Sequence, residues 1–325
     1  MRLKIGRALD LWEGEMKPRP LLSIVIANYN YGRFLEEAIR SVLAQNMGDK
    51  IELIICDAAS TDNSVEIIKK YANGLPPNTQ YDEWRIQANS QLKTPSSQLI
   101  TWWCSEPDGG QSDAFNKGFS HATGDWLTWL NADELYADGC LRAFANLVER
   151  EKAAQWVTGN YVNFNDSDKI ITHVTWGPHT SPSFLGNQHY PLAVFGSTSF
   201  WRREVYLKVG PIDEKLHYAM DMDYWARLVM AGYRQTRLNH YCWLFRDHDA
   251  SKTVGKQTDA SWAKRNAENK YHAAKNGYTY EFSLKNPWYV FWLVWRFFDG
   301  SVFVRWYKRH ALVSKPINVL TEVIQ

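Results

Sequence analysis

Acidic and amide side chains recur in this sequence directly after short apolar runs. Asn28 ends the run Leu21 to Asn28, and Asp57 ends Ile51 to Asp57. Glu106-Pro107-Asp108 follows Leu99 to Cys104, and Asn131-Ala132-Asp133-Glu134 follows Trp126 to Leu130. A carboxylate does not bind phosphate by itself, but it can do so through a divalent cation held by carboxylate and water oxygens. The loops that cradle phosphate on backbone N–H groups are missing. The first run continues as Asn28-Tyr29-Asn30-Tyr31-Gly32 instead of G-x-G-x-x-G, and no G-x-x-x-x-G-K-[ST] occurs. A nicotinamide dehydrogenase and a P-loop NTPase are thereby demoted. Gly118-Phe119-Ser120-His121-Ala122 approaches a hydrolase elbow, but it lacks the final Gly and falls within a helical pattern.

The elements that must position these residues alternate. The apolar runs at 21–28, 51–57, 99–104 and 126–130 have the length and Ile/Val content of buried strands. Between them, Leu35, Ala38, Ile39, Val42 and Leu43 fall on one helical face, as do Val65, Ile68 and Ala72. Ser60-Thr61-Asp62 stands where a helix N-terminus needs acceptors. Ala114, Phe115, Gly118 and Phe119 mark a third helix, and Leu141, Phe144, Ala145 and Val148 a fourth. This βαβ alternation predicts a largely parallel sheet covered by helices. Ligands of such sheets bind beyond the carboxyl ends of the strands, where the acids lie.

Composition agrees. Of 325 residues, 45% are hydrophobic and 22% charged, which is ordinary for globular chains and excludes collagen-like, coiled-coil and disordered ones. Thirty-seven basic and 35 acidic residues leave a net charge of +2, so no nucleic-acid partner is expected. The 16 tryptophans point to stacking surfaces, an interfacial membrane contact or a large aromatic core. Cys56, Cys104, Cys140 and Cys242 form no C-x-x-C pair, which argues against structural zinc and a disulfide framework. Met1 to Lys17 has no apolar stretch of signal-peptide type.

Four consecutive segments then carry a specific resemblance: SIVIANYNYGRFLEEAIRSVLAQ, ELIICDAASTDNSVEII, EPDGGQSDAFNKGFSHATGDW and LTWLNADELY. In order and spacing they resemble glycosyltransferase family 2 enzymes of the GT-A fold, most closely the bacterial branch building O-antigen, capsule and exopolysaccharide. SFWRREVYLKVGPIDEKLHYAMDMDYWARL and LFRDHDASKT extend the similarity to about residue 250. The resemblance implies an α/β GT-A domain over 21–250, with a nucleotide-sugar half at 21–134 and an acceptor half at 135–250. A leader at 1–20 and a helical extension at 251–325 flank it.

Residue by residue, the resemblance implies that Ala27, Asn28 and Tyr29 pass along the nucleotide. Asp57 would bond the base or ribose, or else cap the Ser60–Asp62 turn. Asp108 would be a second nucleoside-contacting acid, or only part of a Pro-Asp-Gly-Gly turn. Asn116 and Lys117 would lie near the diphosphate. The metal motif Asp-x-Asp reads Asn131-Ala132-Asp133, so Asp133 is the expected ligand of Mn2+ or Mg2+, and an aspartate at 131 should be tolerated. His248 would complete the metal site, or be a loop histidine, and Arg246 would meet phosphate oxygens. Asp221 aligns as the base of an inverting transfer, with helix capping as its other role. Asp223, four residues before Arg227, reads as half of a helical ion pair.

The Q-x-x-R-W motif of processive synthases is missing, so one sugar per encounter is expected. Trp176, Phe184 and Tyr190 lie in the segment where the family binds acceptors. Residues 285–315 hold six Lys or Arg against the single Asp299, interleaved with aromatics. That pattern suits a helix in a membrane interface over 287–310, or one packed on the domain or on a second copy in a homodimer. The expected partners are a nucleotide sugar, probed first as UDP-linked, and a glycan or undecaprenyl-diphosphate-linked acceptor at the cytoplasmic face of the plasma membrane. A sugar-nucleotide-binding scaffold and a nucleotidyltransferase are the rival functions.

Overall fold

The structure, a computed structural model, describes residues 19–73, 100–175, 196–252, 258–277 and 300–320, together with 290, 294, 297 and 298. The expectations for Met1 to Lys17, for Trp176, Phe184 and Tyr190, and for most of 287–299 lie outside these residues. The chain opens with β1 (Leu22–Asn28), α1 (Gly32–Leu43), β2 (Ile51–Asp57) and α2 (Ser64–Ala72). It continues through β3 (Trp102–Ser105), α3 (Gln111–His121), β4 (Trp126–Asn131), β5 (Leu135–Tyr136) and α4 (Cys140–Arg150). Then come β6 (Trp156–Asn165), β7 (Ile171–Thr175), β8 (Ser199–Arg202), α5 (Arg203–Val209), α6 (Met220–Met230) and β9 (Gln235–Asp247). Two further helices follow, α7 (Asp259–Lys275) and α8 (Ser301–Leu312).

Among the described residues, nine strands form one sheet in the order β3-β2-β1-β4-β8-β6-β9-β5, with β7 on β6. The expected parallel order holds in the first half, where β3, β2, β1 and β4 all run the same way. The second half is mixed: β8 is antiparallel to β4 and β6, while β9 runs parallel to β6. β6 and β7, joined by a tight turn, add a further antiparallel pair.

Hydrophobic burial is split across the sheet. One face packs Leu35, Ala38, Ile39 and Val42 of α1, Ile68 and Tyr71 of α2, and Leu141 and Phe144 of α4. The other face packs Phe115 and Phe119 of α3 against Val205 of α5 and Tyr224, Trp225 and Leu228 of α6. Four tryptophans are buried there. Trp129 stacks on Trp225 at 5.1 Å, Trp156 stacks on the same ring at 5.8 Å, and Trp201 meets Trp129 edge-on at 5.1 Å. A third cluster joins Val162, Phe164, Ile171 and Val174 to Leu312, Ile317 and Leu320, which seats the end of α8 on β7.

Gly118 shows how closely α3 lies on the sheet. A Cβ placed there would stand 2.3 Å from Val25 Cγ1 of the central strand. Gly118→Ala should therefore push α3 off β1 and cost about 1–3 kcal/mol, the usual penalty of overpacking, read as a lowered urea midpoint with an unchanged slope.

Candidate active site

The row of strand ends is a hydrogen-bonded structure in its own right. Asn28 pairs with Asp57 and Asp57 with Ser105 in the parallel registers. Asp57 Oδ1 accepts from Asn28 Nδ2 at 2.6 Å and Ser60 Oγ at 2.5 Å, and Oδ2 accepts from the Ser60 N–H at 3.0 Å and Ser105 Oγ at 2.6 Å. Asp57 is buried and does not face the cavity described below, so its carboxylate ties three strand ends and a turn together. The next turns interlock above it. Asn30, at a left-handed φ of 54° that Asn tolerates, accepts from the Thr61 N–H at 2.8 Å. Asp62 accepts from the N–H groups of Gly32 and Ser64 at 2.8 and 3.0 Å.

A cavity of about 850 Å³ opens beyond β1 and β4. Ala27, Asn28 and Tyr29 line it, with Asp108, Asn131, Ala132, Asp133 and Glu134. Asp221 at the start of α6, residues 250–252 and Arg265 of α7 complete the wall. Asp108 lines the cavity and also belongs to a turn. Its Oδ1 accepts from the Gly110 N–H at 2.8 Å, where a φ of 114° requires glycine. Burial pushes its carboxyl above the usual carboxylate range.

Asp133 and His248 meet, with Oδ2 3.0 Å from Nε2. His248 is buried against Phe34, with ring centres 4.5 Å apart, and edge-on to Tyr31. The Tyr31 hydroxyl donates to the Ala250 carbonyl at 3.0 Å, which pins the 248–252 segment over the cavity. Glu134 turns the other way. Its Oε1 accepts from Asn131 Nδ2 at 2.8 Å and its Oε2 from Ser197 Oγ at 3.0 Å. Burial, aided by the Asp133 charge, raises the Glu134 carboxyl well above the usual carboxylate range. Asn131 Oδ1 accepts from Gln111 Nε2 at 2.5 Å, and Gln111 Oε1 accepts from Lys252 Nζ at 3.3 Å.

The amide at 131 thus both accepts from Gln111 and donates to Glu134. Among the described residues no three His, Cys, Asp or Glu side chains form a ready metal cage. Asp133 and His248 nevertheless offer one carboxylate oxygen and one imidazole nitrogen to a divalent cation, whose remaining positions would fall to phosphate and water oxygens.

Four expected contacts lie elsewhere. Asp57 is one. Asn116 clamps the loop before α6, donating to the Ile212 carbonyl at 2.9 Å and accepting from the Ile212 N–H at 2.8 Å. Lys117 pairs with Glu106 at 3.0 Å outside the cavity wall. Arg246 is 1% exposed and cannot reach a phosphate. Its Nε donates to the Asp133 carbonyl at 2.9 Å, and its terminal nitrogens donate to Asp166 and Glu37 at 2.5 Å each. The cause is topological: β9 runs between α1 and the β6–β7 turn, so the guanidinium is enclosed before it reaches the cavity.

Asp221 and Asp223 are separated by the turn of α6. Asp221 faces the cavity, with Oδ1 accepting from the Met222 N–H at 2.8 Å. Asp223 is fully buried and bonded to Arg227 at 2.9 Å, as its i,i+4 spacing predicts, with Lys275 at 3.1 Å and Asn276 at 2.9 Å as further partners. Sequence reasoning missed Gln111, Tyr218, Lys252 and Arg265 in the wall. Lys252 stood within the quoted LFRDHDASKT run. Arg265 sits on a polar helix with no motif to signal it.

The family model for glycosyl transferase family 2 matches residues 23–209. An uncharacterised glycosyltransferase of Nostoc sp. is 35% identical over 197 residues, covering 59% of this chain and 54% of the relative. The glycosyltransferase GlyG of Streptococcus pneumoniae is 30% identical over 148 residues, covering 46% and 41%. The chain therefore spans about half the length of these two curated relatives. A PGL/p-HBAD biosynthesis glycosyltransferase of Mycobacterium tuberculosis is 26% identical over 68% of this chain and 74% of its own. Among solved structures, residues 1–349 of S. aureus TarS in complex with UDP-GlcNAc superpose with a TM-score of 0.58 at 13% identity, covering 85% of this chain and 72% of that chain, which supports the GT-A fold.

Replacing Arg246 tests the burial argument. Arg246→Gln should cost about 3 kcal/mol in chemical unfolding, the low end for a broken buried ion pair because both acids keep a third of their surface in water. A phosphate-binding arginine would instead leave stability unchanged and lower only nucleotide affinity.

Proposed function

The chain belongs to glycosyltransferase family 2, and on that premise we propose that it transfers a sugar, with inversion, from a UDP-linked donor to a hydroxyl of a glycan or lipid-linked glycan. The carrying observation is that one cavity is lined by both Asp133, which His248 meets from behind, and Asp221. The nucleoside lies along Ala27 to Tyr29 and Asp108. Asp133 and His248 are the residues that would hold a Mn2+ or Mg2+ ion, which when bound supplies counter-charge to the diphosphate.

The acceptor enters on the side of Asp221, Tyr218 and Arg265. Asp221 takes the proton of the attacking hydroxyl as that oxygen bonds to the anomeric carbon. The bond from that carbon to the phosphate oxygen breaks, and its electron pair leaves with the nucleoside diphosphate. Tyr218 presents a ring face to a sugar, with the Arg265 guanidinium 5.4 Å from its centre. The presence of a hyaluronan synthase of Pasteurella multocida among the relatives, 26% identical over 77% of this chain but only 23% of its own length, supports a role in surface-polysaccharide assembly.

Among the described residues no helix is long and apolar enough to cross a membrane. On α8, however, Phe303, Trp306 and Tyr307 are exposed at 55, 62 and 65% beside Lys308 and Arg309. Aromatics and cations on one helix suit the headgroup region of an anionic bilayer. The pattern supports the reading of an enzyme at the cytoplasmic membrane face, beside a lipid-linked acceptor. Purified protein should cosediment with vesicles containing phosphatidylglycerol and not with phosphatidylcholine alone, and Trp306→Ala with Arg309→Ala should abolish the difference. A concentration-dependent dimer that never meets vesicles would assign the face to a second copy.

A donor panel tests the chemistry. Diphosphate release from UDP-sugars should require acceptor and fall about 10²–10⁴-fold in Asp221→Asn, the usual worth of a general base, with UDP affinity kept. Asp133→Ala and excess chelator should each abolish turnover. Pyrophosphate release from a nucleoside triphosphate and a sugar phosphate would point to a nucleotidyltransferase instead.

A further inference from the structure

Three consecutive backbone N–H groups converge on one carboxylate oxygen. His217, Tyr218 and Ala219 donate to Glu268 Oε2 at 2.9, 2.6 and 3.2 Å. Glu268 comes from the middle of α7 and is 8% exposed. The three donors are the last residues before α6, and Asp221 is the second residue of that helix. N–H groups at a helix start have no partner within the helix, and the helix dipole favours an anion there. A hydroxyl cap satisfies one such donor. A buried carboxylate oxygen satisfies three, through charge-assisted bonds.

The same helix grips α6 a second time. Lys275 and Asn276 bond Asp223, and Lys275 also bonds Asp213 at 2.7 Å. Asp221 therefore lies between two fixed points, one supplied by the middle of α7 and the other by its end and cap. His217 and Tyr218 belong to the cavity wall as well as to the clamped stretch. We propose that Glu268 is the positioning residue of the transfer: its clamp on residues 217–219 sets the approach of the Asp221 carboxylate and of the wall against which the acceptor lies. This role rests on Asp221 being the base. A displacement of the order of 1 Å at a reacting group can cost about 10²-fold in rate, so the clamp need not touch substrate to matter.

The other oxygen, Glu268 Oε1, is buried without a hydrogen-bond partner among the described residues. Glutamine can therefore keep a carbonyl oxygen in the clamp and place its amide where Oε1 stands. Glu268→Asp keeps the charge but withdraws the oxygen by one methylene.

The test compares wild type with Glu268→Gln, Glu268→Asp, Glu268→Ala and Asp221→Asn, using UDP binding, turnover of UDP-GlcNAc and UDP-glucose with water or sugar acceptors, and amide hydrogen exchange. The amides of 217–219 should be protected in wild type and Glu268→Gln and exchange faster in Glu268→Asp and Glu268→Ala. Turnover should fall about 10–100-fold in Glu268→Asp and Glu268→Ala and stay within about threefold of wild type in Glu268→Gln, with UDP affinity unchanged throughout. Unchanged protection in Glu268→Asp would overturn the clamp. Faster exchange with full turnover would overturn the positioning role and leave Glu268 a support of the fold. Full turnover in Asp221→Asn would overturn the base assignment, and with it the task given to Glu268, while the exchange data would still report the clamp itself. Should Glu268→Ala not fold, the Gln and Asp variants carry the comparison alone.

Discussion

The site hangs on one buried guanidinium. Arg246 is enclosed between the rings of Phe34 and Phe164, 4.8 and 5.0 Å from its centre, and all of its bonds go to groups from other elements. Glu37 brings α1, Asp166 brings the β6–β7 turn, and the Asp133 carbonyl brings the turn after β4. A planar cation with donors fixed in a fork holds three partners at fixed angles, which an ammonium cannot do. Two residues further on, His248 reaches the Asp133 side chain. The carboxylate and the imidazole are thus set by one anchor from opposite sides. Burying such a charge is costly unless it is fully bonded, and here each neighbouring acid answers it.

The acids of this protein divide by what surrounds them. Asp57, Glu134 and Asp223 point into the fold, and their oxygens are taken up by hydroxyls, amides and cations. Asp108, Asp133 and Asp221 keep a face toward the cavity. The division follows the packing of each element. Asp57 stands in the middle of a three-strand row and is closed over by Ser60 and Ser105. Asp221 and Asp223 are two residues apart on a helix, about 200° around its axis, so one faces the cavity when the other faces α7. Asn131 completes the pattern, because the buried Glu134 next to it needs a donor.

The helix beyond the matched segment is part of the same machine. The family model ends at residue 209, yet α7 places Arg265 in the cavity wall and holds the start of α6 through Glu268, Lys275 and Asn276. Its polar sequence, with little hydrophobic face, reads as an appendage because its bonds to the domain come from charged and amide side chains. Lys264 and Arg265 stack near Tyr218 at 5.9 and 5.4 Å, so the contact surface is made of charge over aromatic rings. Such contacts leave no periodic apolar signal.

The strands and helices of the first half were legible because short continuous apolar runs and apolar faces of period 3.6 are local properties, and burial of those faces has few solutions. The order of acids at the strand ends, and the family they resemble, were legible for the same reason: each motif is a short segment acting at one strand end. The i,i+4 pair of Asp223 with Arg227 was legible from helix geometry alone. Which acids stay open was not, since that depends on neighbours far along the chain. Arg246 is spent on Glu37, 209 residues away, and Asn116 on the loop at 212. Glu268 finds its three N–H donors about fifty residues upstream. A hydrogen bond is decided by where two groups end up within about 3 Å of each other, and only the assembled sheet and its helices bring those groups together.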